Sequence, residues 1–389
     1  MMLSYLFWIL LFIVIYVYIG YTLLLIVLVG LKKLFIKNFK SDKSYEPEVA
    51  IFIAAYNEMD IIEEKVKNLR ELDYPNGKLK FYWVTDGSND GSVALLKKYP
   101  EMIVLHENER KGKIGAMNRG MKEIKSPITI YCDANSMLTK NSVKEIVYFF
   151  VNQEVGCVAG EKQIKKNQSD IAASSGEGFY WKYESFIKML ESEMGSTVGA
   201  AGELFAIRTE LFREVETDTL LDDFVISLRI AENGFKLKYA PKAVAIESGS
   251  ASIADELKRK VRIAAGGFQT LLRLQRLLNP FKCGFLAIEY WSHKVLRWTI
   301  VPISLLILLP LNVYLVFSTK CIIYSVLLIL QFIFYFLALL GFVYRNKKTK
   351  LKLMFTPYYL IVMNVALILG FIKYTKGQQS VNWEKAKRM

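Results

Sequence analysis

The sequence is poor in the residues that build metal clusters and disulfide frameworks. Its 389 residues include four cysteines, none of them in a CxxC pair, and two histidines. A structural zinc site or a disulfide-stapled fold needs more such residues at close spacing, so neither is expected. A base-reading motif is also lacking, so the formal net charge of +14 does not indicate nucleic-acid binding. This charge favours anionic lipid head groups and a phosphorylated substrate as partners.

Charged residues are absent from residues 3–31, a stretch longer than the roughly 20 residues that a helix needs to cross a bilayer. A cleaved secretory signal would have a shorter apolar core behind a basic start, whereas here the basic residues follow. We therefore expect a retained membrane helix over residues 1–31. Because positive residues mark the cytosolic side of a span, the five lysines between 32 and 43 predict that the next segment faces the cytosol.

The C-terminal part, residues 298–373, predicts about three more membrane helices in an integral, multi-pass membrane protein. Their apolar runs are 298–317, 321–344 and 355–372, and a basic loop at 345–352 predicts a cytosolic turn. If the last run crosses fully, the basic tail 374–389 lies outside, and if the run is re-entrant the tail stays inside. The sequence leaves both arrangements open.

Aromatic and basic residues are mixed in residues 284–297, just before these runs. Such a mixture is typical of an amphipathic helix at a membrane surface. We therefore predict an interfacial helix here, in preference to a catalytic role for His293.

Between about residues 46 and 280 the pattern changes to short apolar runs that alternate with amphipathic stretches. Strands are predicted at 49–55, 80–85, 103–106 and 128–132, and helices at 58–72, 92–98 and 115–124. This βαβ alternation predicts a parallel, doubly wound sheet. Ligands of such sheets bind beyond the carboxyl ends of the strands, so polar residues after strands are candidates for a site.

Polar residues follow several of these strands. Asp133 comes directly after ITIYC, an apolar run typical of a strand buried on both faces, where an unpaired carboxylate is costly. Asp86 lies in TDGSNDGS, which taken alone favours a tight turn with the aspartate as a local cap. Gly112 and Lys113 open a helix whose N–H groups and dipole suit a phosphate, and a solvated basic loop is an equal alternative.

Two further charged groups lie on predicted helices. Asp222 and Asp223 occupy a first turn, where one carboxylate can serve the helix dipole and the second is left to be explained. Arg259 and Arg262 are three residues apart and share one helix face. That face suits either an anion or a basic surface near lipid.

Seven motifs occur together in the order and spacing of one enzyme family. They are AAYNE (54–58), TDGSNDGS (85–92), KGKIGAMN (111–118), YCDANS (131–136), GAAGELFAIR (199–208), LLDDF (220–224) and RKVRI (259–263). Over about residues 49–267 the chain resembles the membrane-bound family 2 glycosyltransferases of the cellulose, chitin and hyaluronan synthase type. The resemblance implies an α/β GT-A domain, a Rossmann-like sheet inserted between transmembrane helices, over residues 46–280. It also implies a nucleotide-sugar donor, a divalent cation and inversion at the anomeric carbon.

The resemblance also implies roles for individual residues. The nucleotide sugar would contact Ala55, Tyr56, Glu58, Asp86, Lys113, Asp133, Arg259 and Arg262. Asp86 would take the uracil and ribose side, and Lys113 would face the diphosphate.

The metal, acceptor and catalytic positions follow from the same resemblance. Asp133 and Asn135 would hold Mg²⁺ or Mn²⁺, hard cations that prefer oxygen ligands. Gly202 and Glu203 would contact the acceptor. Asp223 would be the base that deprotonates an acceptor hydroxyl, and Asp222 beside it would separate the pKa values of the pair.

The chain departs from the family pattern at three positions. Asn135 offers a neutral carbonyl instead of a carboxylate, and Glu203 stands where a small residue is commoner. Ile263 replaces the tryptophan that shapes the acceptor channel of processive synthases. Polymerisation is therefore less firmly implied than sugar transfer.

Three functions remain open at this point. One is a cytosol-facing polysaccharide synthase that uses a UDP-sugar, and another is a single transfer to a lipid of the ceramide or polyprenyl-phosphate type. About four spans favour the second mildly, unless the chain forms a homo-oligomer or has a secretion partner. The third is a nucleotide-binding membrane scaffold without turnover, because a fold does not by itself imply a function.

Overall fold

The structure is a computed structural model that describes residues 1–35, 44–165, 173–248, 253–344 and 352–378. The predicted basic loop before the last apolar run and most of the predicted basic tail lie outside these residues.

A mixed sheet of eight strands organises the described part of residues 49–248. The strands, in chain order, are β1 Val49–Ala55, β2 Leu79–Asp86, β3 Met102–Glu107, β4 Ile128–Cys132, β5 Met137–Leu138, β6 Val155–Lys165, β7 Leu204–Arg208 and β8 Lys236–Ser248. Their order across the sheet is β3-β2-β1-β4-β7-β6-β8-β5.

The first half of the sheet is parallel, as the alternation predicts. β1 pairs in parallel with both β2 and β4, and β2 pairs in parallel with β3. The connecting helices are α2 Met59–Arg70, α3 Ser92–Leu96, α4 Gly112–Met121 and, after β5, α5 Ser142–Val147. All four predicted strands are found, and their carboxyl ends share one edge of the sheet.

The second half of the sheet is mixed, so the parallel arrangement that the alternation predicts holds there only between β6 and β8. β7 runs antiparallel to both β4 and β6, and β5 runs antiparallel to β8. Because β7 is reversed, its first residue Leu204 pairs with Cys132, the last residue of β4. The loop that precedes β7 is thereby brought beside Asp133.

Apolar residues on both faces of β1 explain why this strand lies at the centre. Ile51 and Ile53 face α2 and α5, whereas Phe52 faces α4 and α7 Asp222–Glu232. All seven residues of the strand are buried. Such double burial requires a continuous apolar run, which VAIFIAA supplies.

Helices complete the domain and connect it to the apolar segments. They are α6 Ala173–Met194, α8 Ile253–Arg273, α9 Pro280–Cys283 and α10, a helix over 285–298 that contains a π-helical turn at Trp291–Val295. α6 packs against the first apolar helix, with Ile187 and Leu190 in contact with Tyr21 and Leu25.

Four helices among the described residues are long and apolar enough to cross a membrane. They are α1 Met2–Phe35, α11 Ile300–Thr319, α12 Ile322–Val343 and α13 Lys352–Thr375. α1 packs on α11 through Phe7 and Leu308. α13 packs so closely on α8 that a Cβ at Gly370 would lie 2.4 Å from the Cβ of Ala264.

Candidate active site

Lys113 lies between two carboxylates at the shared edge of the sheet. Its Nζ is 3.2 Å from Oδ1 of Asp133 and 3.2 Å from Oδ2 of Asp222. Burial disfavours a charge on this lysine, but the carboxylates of Asp133, Asp222 and Asp223 outweigh burial and raise the pKa of Lys113. Burial also raises the pKa of Asp133, against the opposing effect of Lys113. The predicted diphosphate cation and the predicted metal ligand are therefore in direct contact.

Asp223 has the electrostatic character of a general base. It lies beside Asp222 in the first turn of α7. Burial, and then the like charge of Asp222, raise the pKa of Asp223 to about 7. A base with a pKa near the working pH combines an available carboxylate with a useful affinity for the proton.

Gly202 supports the position of Asp223 through its lack of a side chain. A Cβ at residue 202 would lie 3.3 Å from Oδ2 of Asp223, which is tighter than ordinary contact. The GAAGE loop can therefore approach the carboxylate closely because glycine occupies this position.

A cavity of about 300 Å³ brings most of the predicted site residues together. The predicted residues that line it are Lys113, Asp133, Gly202, Glu203, Asp222, Asp223, Arg259 and Arg262. Among the residues that the structure describes, Arg262 forms no hydrogen bond or ion pair. Its guanidinium group is thus available to an anion in the cavity.

Five predicted residues do not line this cavity. Ala55 ends β1, the ring of Tyr56 lies 3.8 Å from the Arg110 guanidinium carbon, and the Glu58 backbone N–H donates to Ser92 Oγ at 3.1 Å. These three residues lie at or just after the carboxyl end of β1 but stand outside the cavity lining.

Asp86 is the fourth predicted residue outside the cavity, and it caps a helix that begins 26 residues later in the chain. Its two carboxylate oxygens accept hydrogen bonds from the backbone N–H groups of Lys111 at 2.9 Å and Gly112 at 2.7 Å. The cap fixes the start of α4 and so positions Lys113, the next residue. The sequence favoured a local cap when the motif was taken alone, and the structure shows a cap of a distant helix. Contact between Asp86 and the nucleoside stays a prediction.

Glu203, a predicted acceptor residue, is held in an ionic cluster. Its carboxylate pairs with Lys162 and lies 3.9 Å from Arg259, while Lys162 also contacts Glu247 at 2.7 Å. Although burial alone would raise the pKa of Glu203, the two cations lower it below its usual value. Arg259 in turn pairs with Glu256 at 3.2 Å. Both predicted residues, Glu203 and Arg259, line the cavity, and the charge of each is already paired with an opposite charge.

The cavity wall also contains residues that the sequence did not single out. They come from α6, α10 and α13 and include Tyr180, Trp181, Glu184, Lys188, Lys294, Trp298, Met363, Ala366 and Leu367. Three of those on α6 stand four residues apart, at 180, 184 and 188, which places them on one helix face. This four-residue spacing could have indicated a shared helix face, but a charged face is ordinarily exposed to solvent. The sequence therefore did not predict that the face lines a cavity.

His293 is not part of an exposed interfacial belt. Its side chain is fully buried, with Nδ1 2.7 Å from Glu191 and Nε2 3.0 Å from Glu184. Arg297 and Lys294 also contact Glu184. The residues that suggested a surface helix thus form a buried charged network, while the position of α10 at a membrane surface stays a prediction.

The residues of the site suit a divalent cation that oxygen atoms of a substrate also coordinate. Carboxylate oxygens suit Mg²⁺ and Mn²⁺, and Lys113 already places a positive charge between Asp133 and Asp222. Across the described ranges, no group of three His, Cys, Asp or Glu side chains could hold a metal ion. Asn135, the fifth predicted residue outside the cavity, has a buried Nδ2 without a hydrogen-bond partner among those residues. Asp133 would therefore need substrate oxygens to complete a coordination shell.

The sequence of the chain matches a known family over more than half of its length. The profile of the glycosyltransferase-like family 2 matches residues 47–266. The poly-beta-1,6-N-acetyl-D-glucosamine synthase of Staphylococcus aureus is 26% identical over 232 residues, which cover 58% of this chain and 56% of the synthase. The synthase of the same name from Staphylococcus epidermidis is 24% identical over 241 residues, covering 60% and 58%. The chain thus spans less than two thirds of these curated relatives.

A solved structure covers nearly the whole chain. The mannosyltransferase PcManGT from Pyrobaculum calidifontis, in complex with GDP-Man and Mn²⁺, matches with a TM-score of 0.71 at 22% identity. The match covers 97% of this chain and 100% of PcManGT. At this identity the likeness concerns the fold, which is that of a GT-A transferase.

Proposed function

The chain belongs to the glycosyltransferase-like family 2, and from that membership we propose that it is an inverting, metal-dependent enzyme that moves a sugar from a UDP-sugar to a membrane-associated glycan or lipid. That it is a glycosyltransferase follows from the family and from the relatives. The observation that carries the proposal is that Asp133 with Lys113 and Asp223 with Asp222 line one cavity. Groups suited to a diphosphate thereby share one cavity with a group suited to accept a proton.

Asp223 is the proposed base of the transfer step. An acceptor hydroxyl oxygen attacks the anomeric carbon, the bond from that carbon to the diphosphate oxygen breaks, and the hydroxyl proton passes to Asp223. The electron pair of the broken bond leaves with the nucleoside diphosphate. A single displacement of this kind inverts the anomeric centre, and a positioned base contributes about 10² to 10⁴ to its rate.

Positive charge in the cavity supports departure of the diphosphate. Lys113 and Arg262 both line the cavity, and Arg262 has no partner among the described residues. A divalent cation held by Asp133 would supply further positive charge to the phosphates when bound. Mn²⁺ in the PcManGT complex supports a metal requirement and leaves Mg²⁺ equally suitable here.

The donor is proposed to carry uridine, as in the synthases that the motifs resemble. The Staphylococcus relatives are named for an N-acetylglucosamine polymer, and PcManGT is complexed with GDP-Man. The sugar and the nucleoside are therefore the first variables to test.

The acceptor is proposed to approach from a membrane, with the catalytic domain in the cytosol. The four apolar helices and the synthase relatives support a membrane protein, and Lys32 and Lys33 at the end of α1 support a cytosolic domain. α13 lines the cavity through Met363, Ala366 and Leu367, so one cavity wall belongs to an apolar helix.

A panel of nucleotide sugars tests the proposal. The full chain in membranes is incubated with UDP- or GDP-linked sugars and Mn²⁺ or Mg²⁺, and release of nucleoside diphosphate is measured. We expect release with a UDP-sugar and an ion, and none after chelation. Nucleotide binding without release in every combination would contradict the proposal and favour a scaffold. A ladder of products would identify a polymerase, and one product a single transfer.

A further inference from the structure

The cavity contains Lys188, a buried lysine on α6 that is only 9% exposed. Within the described part of the chain it forms no ion pair or hydrogen bond, and its Nζ lies 5.8 Å from the centre of the Tyr239 ring. Burial of an unpaired ammonium group is unfavourable unless something compensates its charge. A ligand anion in the cavity would do so.

A second lysine adds to the excess of positive charge. Lys294 lines the same cavity, and its Nζ lies 3.4 Å from Oε2 of Glu184. That one carboxylate is also contacted by Arg297. Burial, together with the like charges of Arg297 and Lys188, lowers the pKa of Lys294 against the opposing effect of Glu184. Glu184 thus faces two cations, and Glu191, the next carboxylate of this network, lies 2.7 Å from His293.

These two lysines lie on different elements from the groups that face the donor. Lys113 begins α4, whereas Lys188 and Lys294 belong to α6 and α10. Lys294 is one helical turn before Trp298, whose ring centroid is 5.6 Å from that of Phe224. Phe224 directly follows the proposed base. Lys294 thus shares α10 with a tryptophan that packs against the residue next to the proposed base.

The part of α6 around Lys188 packs beside the second half of α1, which ends in a basic turn. The Tyr183 hydroxyl donates to the Tyr18 carbonyl at 2.7 Å, and Lys32 Nζ donates to the Met194 carbonyl at 2.6 Å. Lys188 therefore lies on α6 between the levels of Tyr18 and Lys32. A helix of 34 residues, as α1 is, extends to about 51 Å, against about 30 Å for a bilayer core. α1 is therefore long enough to extend beyond the bilayer core, and the depth of the α6 segment beside its second half suits a lipid head group.

We infer that Lys188 and Lys294 form a subsite for the phosphate of a lipid-borne acceptor, whose chain lies along α13. The apolar residues of α13 in the cavity suit such a chain, and two ammonium groups suit a phosphate. The inference rests on the proposed function and narrows its acceptor to a phosphorylated lipid.

Binding of a model lipid phosphate tests the subsite. The full chain in detergent is titrated with farnesyl phosphate, and the fluorescence of Trp181 and Trp298, which line the cavity, is recorded. Farnesol has the same chain without the phosphate, and inorganic phosphate has no chain. We expect farnesyl phosphate to bind much more tightly than farnesol, and inorganic phosphate to compete only weakly.

Substitution of Lys188 tests whether its ammonium group binds the phosphate. Lys188→Met should weaken farnesyl phosphate about 10-fold to 100-fold, the value of a charge-assisted hydrogen bond, while Lys188→Arg retains most of the binding. Lys182→Met is the matched control, because Lys182 is exposed on the same helix. UDP binding with Mn²⁺ should be the same in all variants.

Several results would overturn the subsite. They are equal binding of farnesol, equally strong competition by inorganic phosphate, or unchanged farnesyl phosphate binding in Lys188→Met. A misfolded Lys188→Met variant would lose UDP binding as well, and Lys188→Arg then decides the question. Lys188-dependent binding of farnesyl phosphate by a chain that binds no UDP would support the subsite and contradict the proposed function.

Discussion

Replacement of Asp223 by asparagine removes the proposed proton acceptor and keeps the size of the side chain. A positioned general base contributes about 10² to 10⁴ to a rate, which corresponds to about 3–5 kcal/mol of activation free energy. We therefore expect Asp223→Asn to lower kcat by that factor. Because the diphosphate groups are untouched, the KM for the donor should change little.

The raised pKa of Asp223 gives this prediction a pH signature. With a pKa of about 7 in the free enzyme, about one tenth of Asp223 is ionised at pH 6 and about nine tenths at pH 8. The base form is the ionised one, so kcat/KM of the unmodified enzyme should rise about tenfold over this interval. The residual activity of Asp223→Asn should lack this rise.

Thermal stability separates loss of the base from misfolding. The folded pKa of Asp223 lies above its ordinary value of 3.8, so the folded state binds its proton more tightly than the unfolded state does. Ionisation therefore destabilises the fold as pH rises from about 4 to about 7, and the cost is complete above 7. Asp223→Asn removes this ionisation cost, so the melting temperature of the variant at pH 8 should be equal to or higher than that of the unmodified chain.

Initial rates of nucleoside diphosphate release over a range of donor concentrations, from pH 5.5 to 8.5, give kcat, KM and kcat/KM, and thermal melting at pH 8 gives the stability. Asp218→Asn is the control, because Asp218 is an exposed partner of Arg273 outside the cavity. Turnover above about one tenth of normal in Asp223→Asn would refute its role as the base. An unchanged pH rise in that variant would refute it independently.

Three further perturbations test the neighbouring features. Asp133→Ala should weaken Mn²⁺-dependent UDP binding by at least the roughly 10-fold to 100-fold that loss of a supporting residue costs, as measured by titration with and without the ion. Gly202→Ala would place a Cβ 3.3 Å from Oδ2 of Asp223, and displacement of the base should lower kcat up to about 10²-fold without a change in melting temperature. His293→Ala leaves Glu191 without its buried ring partner, and should destabilise the fold by about 1–3 kcal/mol in denaturant titrations.

Matched variants give each of these tests a contrary outcome. Mn²⁺-dependent binding that survives Asp133→Ala would remove the metal from that carboxylate. Gly195→Ala meets no atom within 4 Å, so equal kcat losses at 195 and 202 would contradict the positioning of the base. His106 is exposed, and equal stability changes in His106→Ala and His293→Ala would contradict a stabilising buried network.

The parallel half of the sheet was predictable because its signals are local. ITIYC is apolar throughout and ends in an aspartate, and both properties follow from a strand that is covered on two faces and open at its end. The direction of β7 was not predictable, since LFAIR is an equally buried run whichever way it is paired. Its reversal depends on the partners that the rest of the chain supplies.

The acidic residues of the site and the cations Lys113, Arg259 and Arg262 were predictable, whereas Lys188 and Lys294 were not. Asp133, Asp222 and Asp223 follow strand ends or begin a helix, which are recognisable places in a sequence. Lys188 lies within a charged helix face, and a solvated helix has the same pattern. The packing of α10, α13 and β8 against that face buries it, and the contacts with α10 join segments more than 100 residues apart.

α13 follows the other described elements of the cavity wall in the chain and supplies its apolar part, from Met363 to Leu367. The ribosome therefore makes the strands and the acidic residues before it makes this wall. During synthesis the carboxylates exist before the apolar helix that lines their cavity, so the cavity is completed only after α13 has emerged.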